Sequence, residues 1–149
     1  MFYDVQVPDF SKQPLMMSGL LLTAASVQQT FTARPDPTVA KLLPAPATSR
    51  REFQQNDTLA LLAEIYDNSG STEHRTIDTA VRVLDDMGRE IFVARDSVPN
   101  DTNWNVYSLT RQIPLKDVPP GRYLLRVEAQ ARGNSKDGPA AAETVVTVR

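Results

Sequence analysis

The chain contains no cysteine among its 149 residues, and only one histidine and one tryptophan. The absence of cysteine excludes disulfides, thiolate metal sites and cysteine nucleophiles together. His74 cannot build a two-histidine metal site, and no serine and aspartate accompany it at the spacing of a catalytic triad. Glycine-rich phosphate loops, serine nucleophile elbows and paired catalytic carboxylates are also missing. The sequence therefore predicts neither an enzyme nor a bound cofactor.

An excess of positive charge and a long apolar run are likewise absent. Sixteen lysines and arginines face 18 aspartates and glutamates, for a formal net charge of −2. Binding to phosphate backbones needs a positive field, so we expect no nucleic-acid partner. The longest apolar run, residues 16–22, is interrupted by Ser18 and Gly19 and is far too short to span a bilayer. We therefore expect no membrane insertion.

The start of the chain has the pattern of a seam between domains. Residues 1–4 (MFYD) lack the basic segment of a signal peptide. A β-like run over residues 2–7 is followed by Pro8, a polar extended stretch and Pro14. Domain boundaries tend to fall in such proline-bearing polar segments. We expect residues 1–14 to be a linker or the end of a preceding domain, which would be a partner of this one, and residues 15–149 to form one domain.

The chain does contain short segments in which apolar residues occupy every second position. The segment around which the others are arranged is residues 115–131. Pro119 and Pro120 fix φ and withhold two backbone donors before Gly121. A strict alternation follows, which predicts a strand with one apolar face formed by Tyr123, Leu125, Val127, Ala129 and Ala131. A proline-glycine corner that opens into a strand with tyrosine at its start resembles the tyrosine corner of immunoglobulin-like sandwiches.

Other segments repeat this pattern at short spacing. Strands are predicted at residues 15–23, 58–66, 76–84, 90–95, 106–113 and 141–148. Residues 58–66 are apolar on both faces near their centre, which is typical of a buried strand. Residues 85–88 (DDMG) form a tight-turn sequence in which glycine supplies the positive φ. Together the segments predict an all-β, immunoglobulin-like antiparallel β-sandwich of about seven to nine strands.

Residues 26–51 form one long proline-rich loop, with prolines at positions 35, 37, 44 and 46. Each proline blocks a central strand or a helix interior, so residues 38–43 have room for one helical turn at most. Long irregular loops are uncommon in compact domains. Two interpretations are open, a crossover between the two sheets and a loop that holds a ligand.

Five segments resemble a known bacterial family. They are residues 50–53 (RREF), 57–59 (DTL), 64–68 (EIYDN), 113–115 (IPL) and 120–127 (PGRYLLRV). Their order is similar to that of the β-sandwich tail at the C-terminal end of some bacterial von Willebrand factor A-related proteins. The resemblance covers about residues 5–149. It implies an extracytoplasmic accessory domain that follows a metal-binding A-type domain, and it supplies no catalytic residues.

The sharpest local motif is Asp67-Asn68-Ser69-Gly70-Ser71. It matches the D-x-S-x-S pattern with which A-type domains begin their metal-dependent adhesion site, where Asp67, Ser69 and Ser71 would bind Mg²⁺ or Ca²⁺. The β-branched residues that follow favour a strand, whereas an A-type domain needs alternating strands and helices. Aspartate, asparagine, serine and glycine are also ordinary loop residues. We therefore favour a turn and no metal.

A second acidic group lies in predicted loops and comprises Asp85, Asp86, Asp96, Asp101 and Asn103. If the two loops met, their oxygens could gather around Ca²⁺. No D-x-D-x-D-G spacing is present, so solvated loop carboxylates are the favoured interpretation.

Trp104 is the candidate for contact with a sugar. It lies between two asparagines, and an exposed Trp104 beside Tyr107 could stack on a sugar ring. Large aromatic residues are mostly buried, so a core position at the sandwich edge is the favoured alternative.

These observations predict a non-catalytic accessory module of a larger extracytoplasmic protein, periplasmic, secreted or at the cell surface, that acts as a spacer or protein-interaction domain. A carbohydrate- or calcium-binding module is the alternative, and a fragment of a metal-dependent adhesion domain is the second alternative. The expected partners are the upstream domain and a protein or carbohydrate ligand.

Overall fold

The structure is a computed structural model that describes residues 8–27, 37–70, 75–99, 105–133 and 137–149. Nine strands, one 3₁₀ turn and one short α-helix lie in this part of the chain. The strands are β1 (Leu15–Met17), β2 (Leu21–Thr23), β3 (Glu52–Phe53), β4 (Thr58–Asp67), β5 (Thr76–Leu84), β6 (Glu90–Pro99), β7 (Val106–Pro114), β8 (Gly121–Ala131) and β9 (Ala140–Val148). The 3₁₀ turn is Ala25–Val27, and the helix α1 is Pro37–Leu42.

The first sheet has four strands arranged around β4. The short strands β1 and β2 pair antiparallel with successive parts of one edge of β4, and β7 pairs antiparallel with the other edge. The sequence predicted one strand over residues 15–23, but β1 and β2 are separated at Gly19. The Ser18 hydroxyl accepts a hydrogen bond of 2.9 Å from the backbone N–H of Glu64 at this break. A side chain therefore takes the place of a strand hydrogen bond.

The second sheet has five strands in the order β3-β9-β8-β5-β6. All neighbours are antiparallel except β3 and β9, which run parallel. The β5–β6 hairpin turns at Asp85–Gly88, where Gly88 has a φ of 76° as its place in the turn predicted. Register shifts between Val83 and Leu84, so Ile91 is an extra residue on β6. Such a bulge bends a strand locally.

The two sheets enclose one apolar core, and alternation along the strands decides which residues reach it. Along β8 the residues from Tyr123 to Ala131 alternate between buried and less buried, with the predicted set of five buried. The inward faces of β4, β5, β7 and β9 contribute to the same cluster. The Tyr123 hydroxyl donates a hydrogen bond of 2.6 Å to the Pro119 carbonyl, which is the contact expected of a tyrosine corner.

The proline-rich segment is a crossover, because it leads from β2 in the first sheet to β3 in the second. Its described residues are 26–27 and 37–51, and the second group contains α1 and Thr48, which forms a β-bridge with Leu22. Leu43 lies in a small apolar cluster with Ala60 and Leu62, on the face of β4 that points away from the main core. This cover explains why β4 is apolar on both faces.

A buried carboxylate fixes the beginning of β4. Asp57 accepts hydrogen bonds from the backbone N–H of Ser26 at 3.1 Å and of Gln54 at 2.8 Å, and also from the Ser26 hydroxyl. Its backbone carbonyl accepts the N–H of Leu115 at 3.0 Å. A buried polar group needs such partners, so Asp57 has a structural role that the sequence did not reveal.

Residues 8–14 contact the sandwich. The ring of Phe10 stacks on Tyr66 with centroids 5.1 Å apart. The side-chain amide of Asn68 donates hydrogen bonds to the carbonyls of Phe10 and of Gln13, the latter at 2.9 Å. The assignment of residues 1–14 to a linker or a preceding domain stays a prediction, and residues 1–7 lie outside the described residues.

The architecture confirms the predicted all-β, immunoglobulin-like sandwich with one long proline-rich crossover. No helix among the described residues is long and apolar enough to cross a membrane.

Candidate functional site

The carboxylate of Asp67, in the motif that resembles an adhesion site, already contacts other groups of the protein. Asp67 ends β4 in a buried position, and one of its oxygens accepts the backbone N–H of Ser69 at 3.1 Å. Its other oxygen lies 3.3 Å from Nε of Arg75, whose Nη1 donates to Asp137 at 2.8 Å. Asp67 and Ser69 thus form a side-chain-to-backbone turn beside an ion pair, whereas Ser71 lies outside the described residues, and the assignment of no metal to the motif stays a prediction.

Asp85 belongs to the β5–β6 turn itself. One of its oxygens accepts the backbone N–H groups of Met87 at 2.9 Å and Arg89 at 2.8 Å. The other accepts Nε of Arg89 at 2.7 Å. The backbone N–H of Arg89, foremost among these contacts, holds the pKa of Asp85 below its usual value. Asp85 therefore stabilises the turn and has little capacity left for a cation.

Asp96 lies on β6 and not beside the Asp85–Asp86 turn, so the proposed gathering of oxygens around Ca²⁺ does not include Asp96. Asp96 faces Thr79 across the β5–β6 hairpin, whereas Asp85 lies at the other end of the same hairpin. Asp85 comes six positions after Thr79 in the chain, about 20 Å away at the usual rise of a strand. Asp96 accepts the backbone N–H of Ser97 at 2.8 Å and a guanidinium N–H of Arg111 at 3.0 Å, and these bonds lower its pKa. Asp101 and Asn103 lie outside the described residues.

Among the residues that the structure describes, no group of three or more acidic or histidine side chains is placed to hold a metal ion. His74 lies outside that part of the chain.

One of the two aromatic residues proposed to stack on a sugar, Tyr107, is buried. Tyr107 lies on the inward face of β7 and is buried in the main core. Its neighbours Val106 and Ser108 point outward, as the alternation along the strand requires. A buried ring cannot stack on a sugar, so the assignment of Tyr107 is wrong. Trp104 lies outside the described residues.

The structure instead forms a groove of about 700 Å³ next to the tyrosine corner. One side is the tip of the β5–β6 hairpin, with Asp85, Asp86 and Arg89, and the other is the corner at Pro119 and Pro120. Its floor includes Leu124 on β8, Val145 on β9 and Ile91 at the bulge of β6. We call this feature the corner groove.

The floor of the corner groove is apolar because of strand register. Leu124 faces Val145 on one side and Leu84 on the other, so an aliphatic row crosses three strands on the outer face of the second sheet. The bulge adds Ile91 at the end of this row. Val145 is 44% exposed and Ile91 is 39% exposed. Large aliphatic side chains left this accessible on a sheet face are typical of a contact surface when they lie together.

A ladder of alternating charges borders the aliphatic row on the same face. It runs Glu143, Arg126, Glu128, Arg82, Glu90 across β9, β8, β5 and β6. Arg126 contacts Glu143 at 3.2 Å and Glu128 at 2.8 Å, and Arg82 contacts Glu90 at 2.9 Å and also Glu128. Each arginine lies between two carboxylates. All charges of the ladder are paired within it, with three carboxylates to two guanidinium groups, and the aliphatic row lies accessible beside it.

The rim of the corner groove carries two further charges. Asp86 and Arg122 line the groove, and neither forms an ion pair with another described residue. The pKa of Tyr123 is raised, first by burial and then by the negative charges of Asp85 and Asp86. The acidic side of the rim therefore lies close to the phenol of the corner.

The predicted alternation leaves Leu124 on the face of β8 opposite the apolar one, and sequence reasoning missed the groove. The available signal was an aliphatic residue at an outward position between Arg122 and Arg126, with a second one at Val145. Only the register shows that the two are neighbours.

A second cavity of similar volume lies near the opposite end of the hairpin and is polar, with Lys12, Asn68, Arg75, Arg132 and Asp137 in its wall. Arg75 is paired with Asp67 and Asp137, and Arg132 with Asp78 at 2.6 Å. The guanidinium groups of Arg75 and Arg132 thus form ion pairs within the domain.

Comparisons with known proteins identify the fold of the chain and give no more specific assignment. No protein-family model matches the chain, and no curated protein matches it in sequence. Among solved structures, the C-terminal domain of wzt superimposes with a TM-score of 0.60 at 10% identity, over 93% of this chain and 75% of that one. A Bacteroides uniformis beta-glucuronidase matches with a TM-score of 0.55 at 10% identity, over 90% of this chain but only 14% of the enzyme. At identities this low the likeness shows a shared β-sandwich fold alone.

Proposed function

We propose that this chain is a non-catalytic, immunoglobulin-like accessory module of a larger extracytoplasmic protein, and that it binds a protein segment in the corner groove. The observation that carries the proposal is the accessible aliphatic floor formed by Ile91, Leu124 and Val145. Removing apolar surface from water contributes about 25 cal/mol per Å², so covering this floor favours association.

A protein segment fits the corner groove better than the other ligand classes considered. The floor is aliphatic, whereas sugar rings are usually held on exposed aromatic faces, and the ring of Tyr123 is buried. A calcium ion would need several available oxygens, but Asp85 is engaged by its own turn. An aliphatic floor whose rim carries one acidic and one basic group outside the Asp85–Arg89 ion pair matches the usual anatomy of a protein contact.

The accessory role rests on two further observations. The sandwich covers 14% of the matched beta-glucuronidase, so this fold occurs there as one part of a much longer chain. The resemblance to the tail of von Willebrand factor A-related proteins implies a preceding domain and an extracytoplasmic location. In that setting the upstream domain is one candidate source of the bound segment, and a spacer role is the outcome if nothing occupies the groove.

The proposal is tested with a displayed library of random linear peptides, selected on the folded domain. We expect enriched peptides with an aliphatic or aromatic centre, and at least a tenfold loss of affinity in Val145→Glu, because the new charge would lie on the apolar floor. The matched control is Leu42→Glu, since Leu42 is a comparably exposed aliphatic residue at 37% and lies on α1, outside the corner groove. It should bind the same peptides as the wild type does.

Two results would overturn the proposal. One is that no peptide is enriched on the wild-type domain. The other is that the enriched peptides bind Val145→Glu and Leu42→Glu equally, which would place the binding surface elsewhere.

A further inference from the structure

Within the described part of the chain, each sheet ends in a long strand that has a neighbour on one side only. Among the described residues β6 pairs only with β5, and β7 pairs only with β4. An edge strand of this kind presents backbone donors and acceptors to any other strand that approaches. The two edges differ in how strongly their sequences oppose such an approach.

The edge formed by β6 carries several features that oppose pairing. It is bulged at Ile91, it presents Arg95 on its outer face, and it ends at Pro99, which has no backbone N–H. Asp96 adds a charge near the inner face of the same strand. Bulges, charges and prolines are the devices with which sheet proteins protect their edges.

The edge formed by β7 has fewer of these devices: it also ends at a proline, Pro114, and carries one inward charge, but it has no bulge and no charge on its outer face. All nine residues from Val106 to Pro114 pair with β4 in one unbroken register. The outward residues Val106, Ser108, Thr110 and Gln112 are exposed and uncharged. The charged residue of the strand, Arg111, is held by Asp96 at 3.0 Å.

We propose that β7 pairs antiparallel with β7 of a second copy of this chain, about a two-fold axis that passes at Thr110. This arrangement makes the contact isologous, since the same residues contribute from both copies. It sets Thr110 opposite Thr110, Ser108 opposite Gln112, and Val106 opposite Pro114. Threonine pairs and serine hydrogen bonds are favourable across antiparallel strands.

The inward residues of the two β7 strands are also compatible with this register. Tyr107 would lie opposite Ile113 of the second copy, and Leu109 opposite Arg111. The two Arg111 side chains would be diagonal neighbours, about 7–8 Å apart by the usual strand spacing. Each brings its own Asp96 as counter-charge, so the pair adds no net charge to the contact. No like charges face each other directly anywhere along the nine residues.

The assembly is measured by sedimentation equilibrium, with two charge variants on the outer face of β7. In Ser108→Lys/Gln112→Lys, lysines oppose lysines twice across the axis, so we expect dimerisation at least tenfold weaker than in the wild type. In Ser108→Lys/Gln112→Glu, the same two positions form two opposite-charge pairs, so we expect the dimer to be kept. Both variants change two exposed positions, and circular dichroism verifies that they fold.

A cross-link tests the axis independently. Because the chain has no cysteine, Thr110→Cys introduces one thiol per copy, and the axis places the two thiols in directly opposed positions. Opposed residues on antiparallel strands have Cβ atoms about 4.5–5.5 Å apart, near the range of a disulfide. Mild oxidation should join Thr110→Cys into a covalent dimer, whereas Gln130→Cys on the outer face of β8 should stay monomeric.

A wild-type chain that stays monomeric at about 1 mM, where even a millimolar association would show, would overturn the proposal. Equal dimerisation of the two charge variants would also overturn it. Val145→Glu, which alters the corner groove, should leave this dimer unchanged, so the outcome is independent of the proposed function.

Discussion

The hydroxyl of Tyr123 donates a 2.6 Å hydrogen bond to the carbonyl oxygen of Pro119, four residues earlier in the chain. This bond holds the Pro-Pro-Gly corner against the beginning of strand β8. The corner in turn forms one wall of the corner groove, so the same contact supports both the sandwich and its candidate binding surface.

Removal of that hydroxyl provides the first prediction. Tyr123→Phe should lower the free energy of unfolding by about 1 kcal/mol, the net contribution of one hydrogen bond. Truncation to alanine also removes a buried ring and should cost about 3–5 kcal/mol. Urea melts of the three proteins measure both differences. An unchanged midpoint for Tyr123→Ala would show that the corner does not organise the fold.

The alternation in β8 was readable from sequence because a period of two is a local property of the strand. The same reasoning located β4, β5 and β7 and the turn at Gly88. It also suggested a crossover for residues 26–51, which the described part confirms.

The contents of the site were not readable, because they depend on partners that lie far apart in the chain. Leu84, Leu124 and Val145 become one row only after three strands have paired in a particular register. Asp67 could be judged as a metal ligand or a turn residue, but its pairing with Arg75 depends on where the end of β4 meets the start of β5. Tyr107 is of a residue type that is common in binding sites, but it occupies a buried position in the core.

The second prediction concerns divalent cations. Millimolar Mg²⁺ or Ca²⁺ should leave the melting temperature unchanged, because a ligand stabilises a protein only by binding its native state. The physical reason is that Arg75 and the turn of Ser69 already occupy the Asp67 carboxylate. Differential scanning calorimetry with and without each cation measures the effect. A rise abolished by Asp67→Ala would restore the adhesion-site hypothesis, and a rise abolished by Asp85→Ala or Asp101→Ala would restore the calcium loops.

The third prediction concerns the titration of Tyr66. Its hydroxyl donates a 2.5 Å hydrogen bond to Glu64, and this bond, with burial and the carboxylate charge, raises the pKa of Tyr66 to about 12. An unfolded tyrosine titrates near 10. The folded state therefore holds this proton more tightly, and the associated stability is complete below about pH 10 and is lost as the pH rises towards about 12.

Ultraviolet absorbance of tyrosinate measures that titration directly. The late phase should lose the amplitude of one tyrosine in Tyr66→Phe, while that of Tyr123 remains, and the Tyr66 component should move towards lower pH in Glu64→Gln, which removes the negative acceptor. A Tyr66 that ionises near pH 10 in the folded wild type would contradict the assignment.

The fourth prediction concerns the beginning of the chain. Deletion of residues 1–12 removes the stacking of Phe10 on Tyr66 and the hydrogen bond from Asn68 to the Phe10 carbonyl. An aromatic pair contributes about 0.5–1.5 kcal/mol and a hydrogen bond a similar amount, so we expect the free energy of unfolding to fall by about 1–3 kcal/mol. Phe10→Ala in the full chain should account for part of this loss.

Urea unfolding of the full and shortened chains gives both the midpoint and the m-value. A change below about 0.5 kcal/mol, with cooperativity intact, would show that the segment is a linker without a role in this domain. A lower m-value would show instead that less surface is buried without it.

The central claim is that the corner groove is a binding surface for a protein segment, and backbone amide chemical shifts test it most directly. A peptide enriched on the wild-type domain is titrated into the labelled protein. The account predicts that the largest shifts fall on the hairpin tip at residues 85–91, on the corner at residues 119–124 and on Val145, and that Val145→Glu abolishes them. Shifts that instead cluster on α1 or on β7, or that persist unchanged in Val145→Glu, would contradict it.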